Sequence, residues 1–458
     1  MAGRTLLCLV ILVLLGVAWG IRLAWQGNPD LGLSLVSAAS PPTTLGGDWV
    51  SKPPRSRERF SQARKRADSI DPSGVPRLVE WLAPGDPSPM GPTTSAASDL
   101  VRVEYTLDEE LTEAIFSIFR RGRVERGQAI VLDPRSGRLL AYVSTDPEGL
   151  PPERTYPAAS IVKLLTAAAL LEEAPVAAEQ TCVYRGNKYR LSPRRLAIPK
   201  SGHETTLARA LASSNNQCFS QWAVHSVGQN KLLAIFQRFG WLAAAAPGHD
   251  AGRIDEIKTK LDLGRLGSGL GGVRVNPLHV ASLASILTDG RWVEPWWIDR
   301  VVDSGGRSIR MPRGEEPRQV LSQEIADRLR RMMVGTTASG TAKSAFRTRR
   351  GRRLLGEVDV AGKTGNVTGT DPYGRYEWFL GLAPAEDPTI AVVVLQLQSH
   401  LWWSRSSELA AKVLRTVFCD DQGCRDSLAD RLTGDLSTWT DPLLISELER
   451  PLFISRTN

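Results

Sequence analysis

The spacing of apolar positions changes several times along this chain, and each change marks an element. Val101, Val103 and Tyr105 alternate with Arg102 and Glu104, which predicts a strand. Leu111, Ile115, Phe116 and Phe119 then recur at helical spacing, with Thr106 or Asp108 available as the cap. "GQAIVLDPRSGRLLAYVS" reads as two strands about a Pro-Arg-Ser-Gly turn, an antiparallel hairpin. The stretch "TYPAASIVKLLTAAALLEE" predicts a helix, followed by a mixed region to about Gly290. Strand character returns in "WVEPWWIDRVVD", and "EIADRLRRMMVGTT" is helical. "EVDVAGKTG" and "EWFLGLAPAEDPTIAVVVLQL" read as late strands, and "SSELAAKVLRTVF" as a closing helix. This order predicts an α/β fold built on an antiparallel sheet, within 100–425. No tandem repeat is evident.

Outside those bounds the pattern differs. Thr5 to Ile21 is uncharged and mostly apolar, which suits a signal peptide or an uncleaved signal anchor. No small-x-small cleavage site follows, so an anchor over 1–25 is the expectation, with the rest of the chain exported. Residues 26–99 turn to Pro, Ser, Gly and charge, and read as a solvated linker in which "RERFSQARKRADSI" could form a short basic helix. Residues 426–458 are expected to be a tail.

The formal net charge of +8 changes this picture little. Lys52, Arg55, Arg57, Arg59, Arg64, Lys65 and Arg66 crowd the linker against Glu58 alone, so the excess is largely local and nucleic acid is not an expected partner. Of five cysteines, Cys8 lies in the apolar run, leaving Cys182, Cys218, Cys419 and Cys424. "FCDDQGC" suits a small disulfide loop. Disulfides or four free thiols both fit the sequence, and export favours the former. There is no CxxC and no histidine at metal spacing, so neither metal nor cofactor is expected.

Three short motifs carry chemistry. Ser160 and Lys163 stand three apart at a helix entrance and so share a face. Ser160 could simply cap the helix. Alternatively, Lys163 could activate it as a nucleophile, provided burial or a second cation favours the neutral amine. "ASSNNQ" contains two overlapping Ser-x-Asn pairs, Ser213/Asn215 and Ser214/Asn216, or simply a polar break between helices. Lys363-Thr364-Gly365 suits the cleft-facing edge of a strand, where cation and hydroxyl bind a carboxylate and the glycine admits substrate against the backbone. A phosphate loop is excluded because residues 357–361 put five positions between Gly356 and Gly362, not four. "GSGLGG", Gly267 to Gly272, matches a dinucleotide pattern but lacks a clear preceding strand, and Pro277 falls where a following helix should already run. It is read as a loop.

Ser-x-x-Lys, Ser-x-Asn and Lys-Thr-Gly in this order resemble the signature of penicillin-binding proteins and serine β-lactamases. The resemblance to the penicillin-binding transpeptidase domain extends from about Leu100 to Cys424. It implies an antiparallel sheet flanked by helices with an all-helical subdomain, and a serine acyl-enzyme acting on D-Ala-D-Ala peptidoglycan stem peptides. It also implies that Ser160 is the nucleophile, Lys163 its base, Ser214 a proton relay and Asn216 a substrate holder. Lys363 and Thr364 would bind the terminal carboxylate beside Gly365, and the backbone N–H groups of Ser160 and Asn366 would form the oxyanion hole. Asn366 departs from the small or hydroxyl residue usual there. β-Lactams are expected ligands, the membrane and a separate glycan polymerase are expected partners, and the periplasm is the expected site. A β-lactamase, a D,D-carboxypeptidase or a non-enzymatic sensor or scaffold are the alternatives. No Glu-x-x-Leu-Asn string lies between Asn216 and Lys363 to support the first of these.

Overall fold

The computed structural model describes residues 52–55, 77–82, 101–303, 305–309, 316–398 and 403–433. The expected anchor and the short basic helix lie outside the described residues, and so does the tail beyond Thr433. Among the described residues no helix is long and apolar enough to cross a membrane.

Strands β1 (Arg77–Leu82) and β2 (Val101–Asp108) pair antiparallel. Asp108 then caps α1 (Glu109–Arg121), its carboxylate accepting the Leu111 N–H at 2.6 Å. Next come β3 (Arg126–Leu132) and β4 (Leu139–Ser144), the expected hairpin. The Asp133 side chain stabilises its turn by accepting from Arg135 N at 2.9 Å and Ser136 Oγ at 2.6 Å, while Gly137 supplies the positive φ of 74°. The helical middle includes α2 (Lys163–Glu173), α3 (Leu207–Ala212), α4 (Asn216–Gln221), α5 (Lys260–Ser268) and α6 (Pro277–Asp289). β5 (Ile298–Val302) adds to β2, and α7 (Gln323–Ala338) leads to β6 (Ala361–Thr370), β7 (Tyr373–Ala383), β8 (Ile390–Gln398) and α8 (Ser406–Phe418).

The central sheet has the order β6-β7-β8-β3-β4 and is antiparallel throughout, so β6 is an edge. Every residue of β8 is buried. That explains its unbroken apolar run: both faces of this strand are covered, so alternation has no reason to appear. Val392 and Val394 join a core with Ile115 and Phe119 of α1 and with Leu409 and Leu414 of α8.

Four expectations need correction. Residues 26–99 are not all solvated linker: β1 is part of a sheet, and Pro53 and Pro54 are buried, with Arg55 paired to Glu153 and its carbonyl accepting the Ser144 N–H. The folded unit also runs past residue 425, because Ala429 and Leu432 pack into the core. "EVDVAGKTG" does not end its strand at the motif. The strand begins at Ala361 and carries the motif at its start. Finally, Gly267 and Ser268 close α5 rather than lying in a loop, and Pro277 opens α6, where its missing N–H is no loss.

Candidate active site

Ser160 is delivered by a 3-10 turn, Ala159–Val162, that runs directly into α2 at Lys163. No side chain caps either segment, so Ser160 is not spent as a helix cap. Ala159 sits at a φ of 50°, a left-handed conformation that is uncommon for a residue with a Cβ. Gly269 faces it: a Cβ there would collide with the Ala159 carbonyl, so the close approach requires glycine.

Lys163 is fully buried, and its Nζ has three neighbours. They are Ser160 Oγ at 2.6 Å, Asn216 Oδ1 at 2.7 Å and the Ser268 carbonyl at 2.7 Å. Two of these can only accept. A neutral amine has two N–H donors and one lone pair, so donation to Asn216 and Ser268 leaves the lone pair aimed at the Ser160 hydroxyl. Burial pushes the Lys163 pKa well below the ordinary lysine value, and repulsion from Lys363 adds to it. Lys363, also fully buried, is lowered by burial to about 7. Its Nζ lies 3.2 Å from Ser214 Oγ and donates to the Thr364 carbonyl at 2.7 Å. Among the described residues neither amine is ion-paired, so no counter-charge offsets the burial that penalises the charged form.

The two overlapping Ser-x-Asn pairs have different fates. Ser213 closes α3, and Asn215 caps α4 by accepting the Cys218 N–H at 3.2 Å. Ser214, at a φ of 53°, turns the chain so that its own hydroxyl meets Lys363 and the next-but-one side chain, Asn216, meets Lys163. Asn216 also donates through Nδ2 to the Tyr189 carbonyl at 2.8 Å.

Lys363, Thr364 and Gly365 lie on edge strand β6. The Thr364 and Thr341 hydroxyls are hydrogen-bonded at 2.6 Å. A Cβ on Gly365 would lie 3.2 Å from Ala159 Cβ and 3.4 Å from Ser160 N, so glycine lets the strand pass close beside the Ser160 turn. The side chain of Asn366 is not brought into this cluster. It is exposed, and its Oδ1 accepts from Arg375 Nε at 2.6 Å across the β6–β7 pair. Cys182 and Cys218 are joined in one disulfide and Cys419 and Cys424 in another. The Ser268 carbonyl, Gly269, the Tyr189 carbonyl and Thr341 were not singled out from sequence. The glycine-rich Gly267–Gly272 segment was the one available signal, and two of its glycines serve close packing: Gly269 against Ala159, and Gly267, where a Cβ would strike Ala223. Among the described residues no group of three or more His, Cys, Asp or Glu is placed to hold a metal ion.

Residues 127–418 match the penicillin binding protein transpeptidase domain. Peptidoglycan D,D-transpeptidase PbpA of Mycolicibacterium smegmatis is 27% identical over 340 residues, covering 64% of this chain and 66% of that protein. Stage V sporulation protein D of Bacillus subtilis is 26% identical over 325 residues, covering 64% of this chain and 48% of that protein. The chain therefore spans just under two thirds of one of these relatives and about half of the other. The crystal structure of PBPA from Mycobacterium tuberculosis superposes with a TM-score of 0.55 at 22% identity, over 68% of this chain and 81% of that one. Pseudomonas aeruginosa PBP2 in complex with WCK 5153 gives 0.57 at 22% identity, over 72% and 81%. These structures share the sheet flanked by helices, and with the match over residues 127–418 the chain belongs to the penicillin-binding protein transpeptidase family.

Proposed function

We propose that the chain is a serine D,D-transpeptidase that acts on D-Ala-D-Ala stem peptides through an acyl-enzyme at Ser160. The observation that carries this reading is the environment of Lys163, a fully buried amine whose Nζ lies 2.6 Å from Ser160 Oγ and 2.7 Å from both Asn216 Oδ1 and the Ser268 carbonyl. Ser160 Oγ attacks the carbonyl of the penultimate D-Ala while Lys163 Nζ takes the hydroxyl proton. The backbone N–H groups of Ser160 and Asn366 hold the oxyanion. Ser214, in contact with Lys363, passes a proton to the departing D-Ala amine, and an acceptor amine then attacks the ester. Thr364, oriented by Thr341, and the Lys363 charge receive the terminal carboxylate. The remaining Asn216 N–H is available to a substrate carbonyl.

Export and anchoring belong to the same proposal. They are supported by the apolar Thr5–Ile21 run and by the two disulfides, which persist in oxidising compartments. The catalytic domain is accordingly placed in the periplasm, with glycan polymerisation supplied by a partner.

Fluorescent penicillin, a mimic of D-Ala-D-Ala, is expected to label the wild-type protein covalently and to leave Ser160→Ala unlabelled. Labelling that survives in the variant sinks the proposal. A pentapeptide incubated with and without an acceptor amine, with products read by mass, separates transpeptidation from carboxypeptidation. Fast nitrocefin turnover would identify a β-lactamase instead.

A further inference from the structure

The Cys182–Cys218 disulfide lies beside the Ser214/Asn216 motif, and its surroundings give it a role there. Cys218 is on α4, two residues past Asn216. Cys182 opens the strand Cys182–Tyr184, which leads directly into the segment 185–190. The backbone carbonyls of that segment hold the start of α4. Lys188 O accepts the Asn216 and Gln217 N–H groups at 3.0 and 3.2 Å, and Tyr189 O accepts Asn216 Nδ2 at 2.8 Å. Arg185 O and Asn187 O both accept from Gln217 Nε2, at 2.9 and 2.7 Å. The two bonds to Lys188 O satisfy backbone N–H groups that a helix start leaves without partners, and the other three hold the Asn216 and Gln217 side-chain amides.

On its outer side the segment is held by exposed polar contacts: Arg185 donates to the Ser201 carbonyl and hydroxyl at 2.7 and 2.9 Å, and Arg195 donates to the Asn187 and Arg190 carbonyls at 3.2 and 3.3 Å. Lys188 is only half-buried, and Arg185, Gly186, Asn187, Tyr189 and Arg190 are exposed, so apolar burial contributes little there. The disulfide, closing a sequence separation of 36 residues, fixes the segment against the helix it supports. Asn216 carries the connection onward through Oδ1 to Lys163 Nζ.

We infer that the Cys182–Cys218 disulfide is a positioning element for the acylation site, acting through the 185–190 segment on Asn216 and thereby on Lys163. Full acylating power then requires an oxidised chain. The Cys419–Cys424 disulfide has no such connection. It bridges a two-strand turn after α8 and packs near Leu354 and Gly356. The inference rests on the proposed function, since its readout is acylation of Ser160.

The test is a double-mutant cycle on the full chain, reading the second-order rate of labelling by fluorescent penicillin. The paired variant C182A/C218A keeps small apolar groups at these buried positions. It is expected to slow labelling about tenfold or more in the wild-type background and to cause no further loss in an N216A background. C419A/C424A is expected to stay within about twofold of wild type, whatever its effect on the melting temperature. Additive losses in the cycle, a loss under twofold for C182A/C218A, or equal losses from both disulfide pairs would overturn the inference. Should C182A/C218A not fold, folded wild-type and N216A proteins are reduced, the free thiols are located by alkylation and mass, and the same ratio is read. Absence of Ser160 labelling in the untreated wild-type protein would fail the proposed function instead, so the two failures are distinguishable.

Discussion

Arg330 on one side and Lys163 with Lys363 on the other are buried cations whose surroundings differ. Arg330 of α7, 7% exposed, donates to the Leu287 and Thr288 carbonyls at 2.7 and 2.6 Å and to the Ala385 and Glu386 carbonyls at 2.7 and 3.0 Å. It also pairs with the Asp327 carboxylate at 2.6 Å. Lys163 and Lys363 are more deeply buried and have hydroxyls, an amide and carbonyls around them but no carboxylate partner among the described residues. Arginine keeps its charge, so its burial requires compensating acceptors, and here they tie the end of α6 and the β7–β8 turn to α7. Lysine can shed its proton, and burial without counter-charge favours the neutral form, most of all at Lys163, where repulsion from Lys363 adds to it. The first arrangement holds elements together, and the second puts a buried amine with a lowered pKa beside the Ser160 hydroxyl.

That contrast can be broken by exchanging each cation for methionine. Lys163→Met should slow penicillin acylation by about 1,000-fold, the scale of a lost general base, with a smaller stability loss than at Arg330 because only Asn216 Oδ1 and the Ser268 carbonyl lose a donor. Unchanged labelling kinetics would remove Lys163 from the base role. Arg330→Met should do the reverse, costing about 3 kcal/mol in urea unfolding by orphaning carbonyls and Asp327, with the acylation rate of the folded fraction within about threefold. A smaller effect sharpens the same comparison through pH. Lys363 titrates near 7 when folded and at the ordinary lysine value when unfolded. Between those values the unfolded chain binds more protons, so stability rises with pH and is lost as pH falls toward 7. This group should contribute about 2 kcal/mol between pH 7 and 9, and Lys363→Met should flatten the slope by that amount in urea titrations at each pH. An identical slope in the variant would assign the titration elsewhere.

The penicillin-binding fold was readable where burial leaves a local period. α1 announced itself by Leu111, Ile115 and Phe119 behind two candidate caps, Thr106 and Asp108, of which the fold uses Asp108, and the β3–β4 hairpin by its Pro-Arg-Ser-Gly turn. β1 was missed because "RLVEWL" sits in a charged, proline-rich stretch and becomes a strand only by pairing with β2. Ser160, Lys163, Lys363 and Thr364 were legible as motif residues. Ser214/Asn216 could be preferred to Ser213/Asn215 only by resemblance, since the two pairs overlap and have the same composition.

The sequence by itself determined the amphipathic elements, their order and the side-chain chemistry of the three motifs, because these depend on residue type and short-range spacing. Tertiary structure decided what those side chains do. It buried two lysines, lowered both pKa values by desolvation and spent Asn215 on a helix cap while Asn216 met Lys163. It also recruited the Ser268 and Tyr189 carbonyls, backbone groups that every residue carries and no sequence pattern marks. A proton's place on Lys163 depends on desolvation and on partners as far as 105 residues away in sequence, so it appears only when the chain is folded.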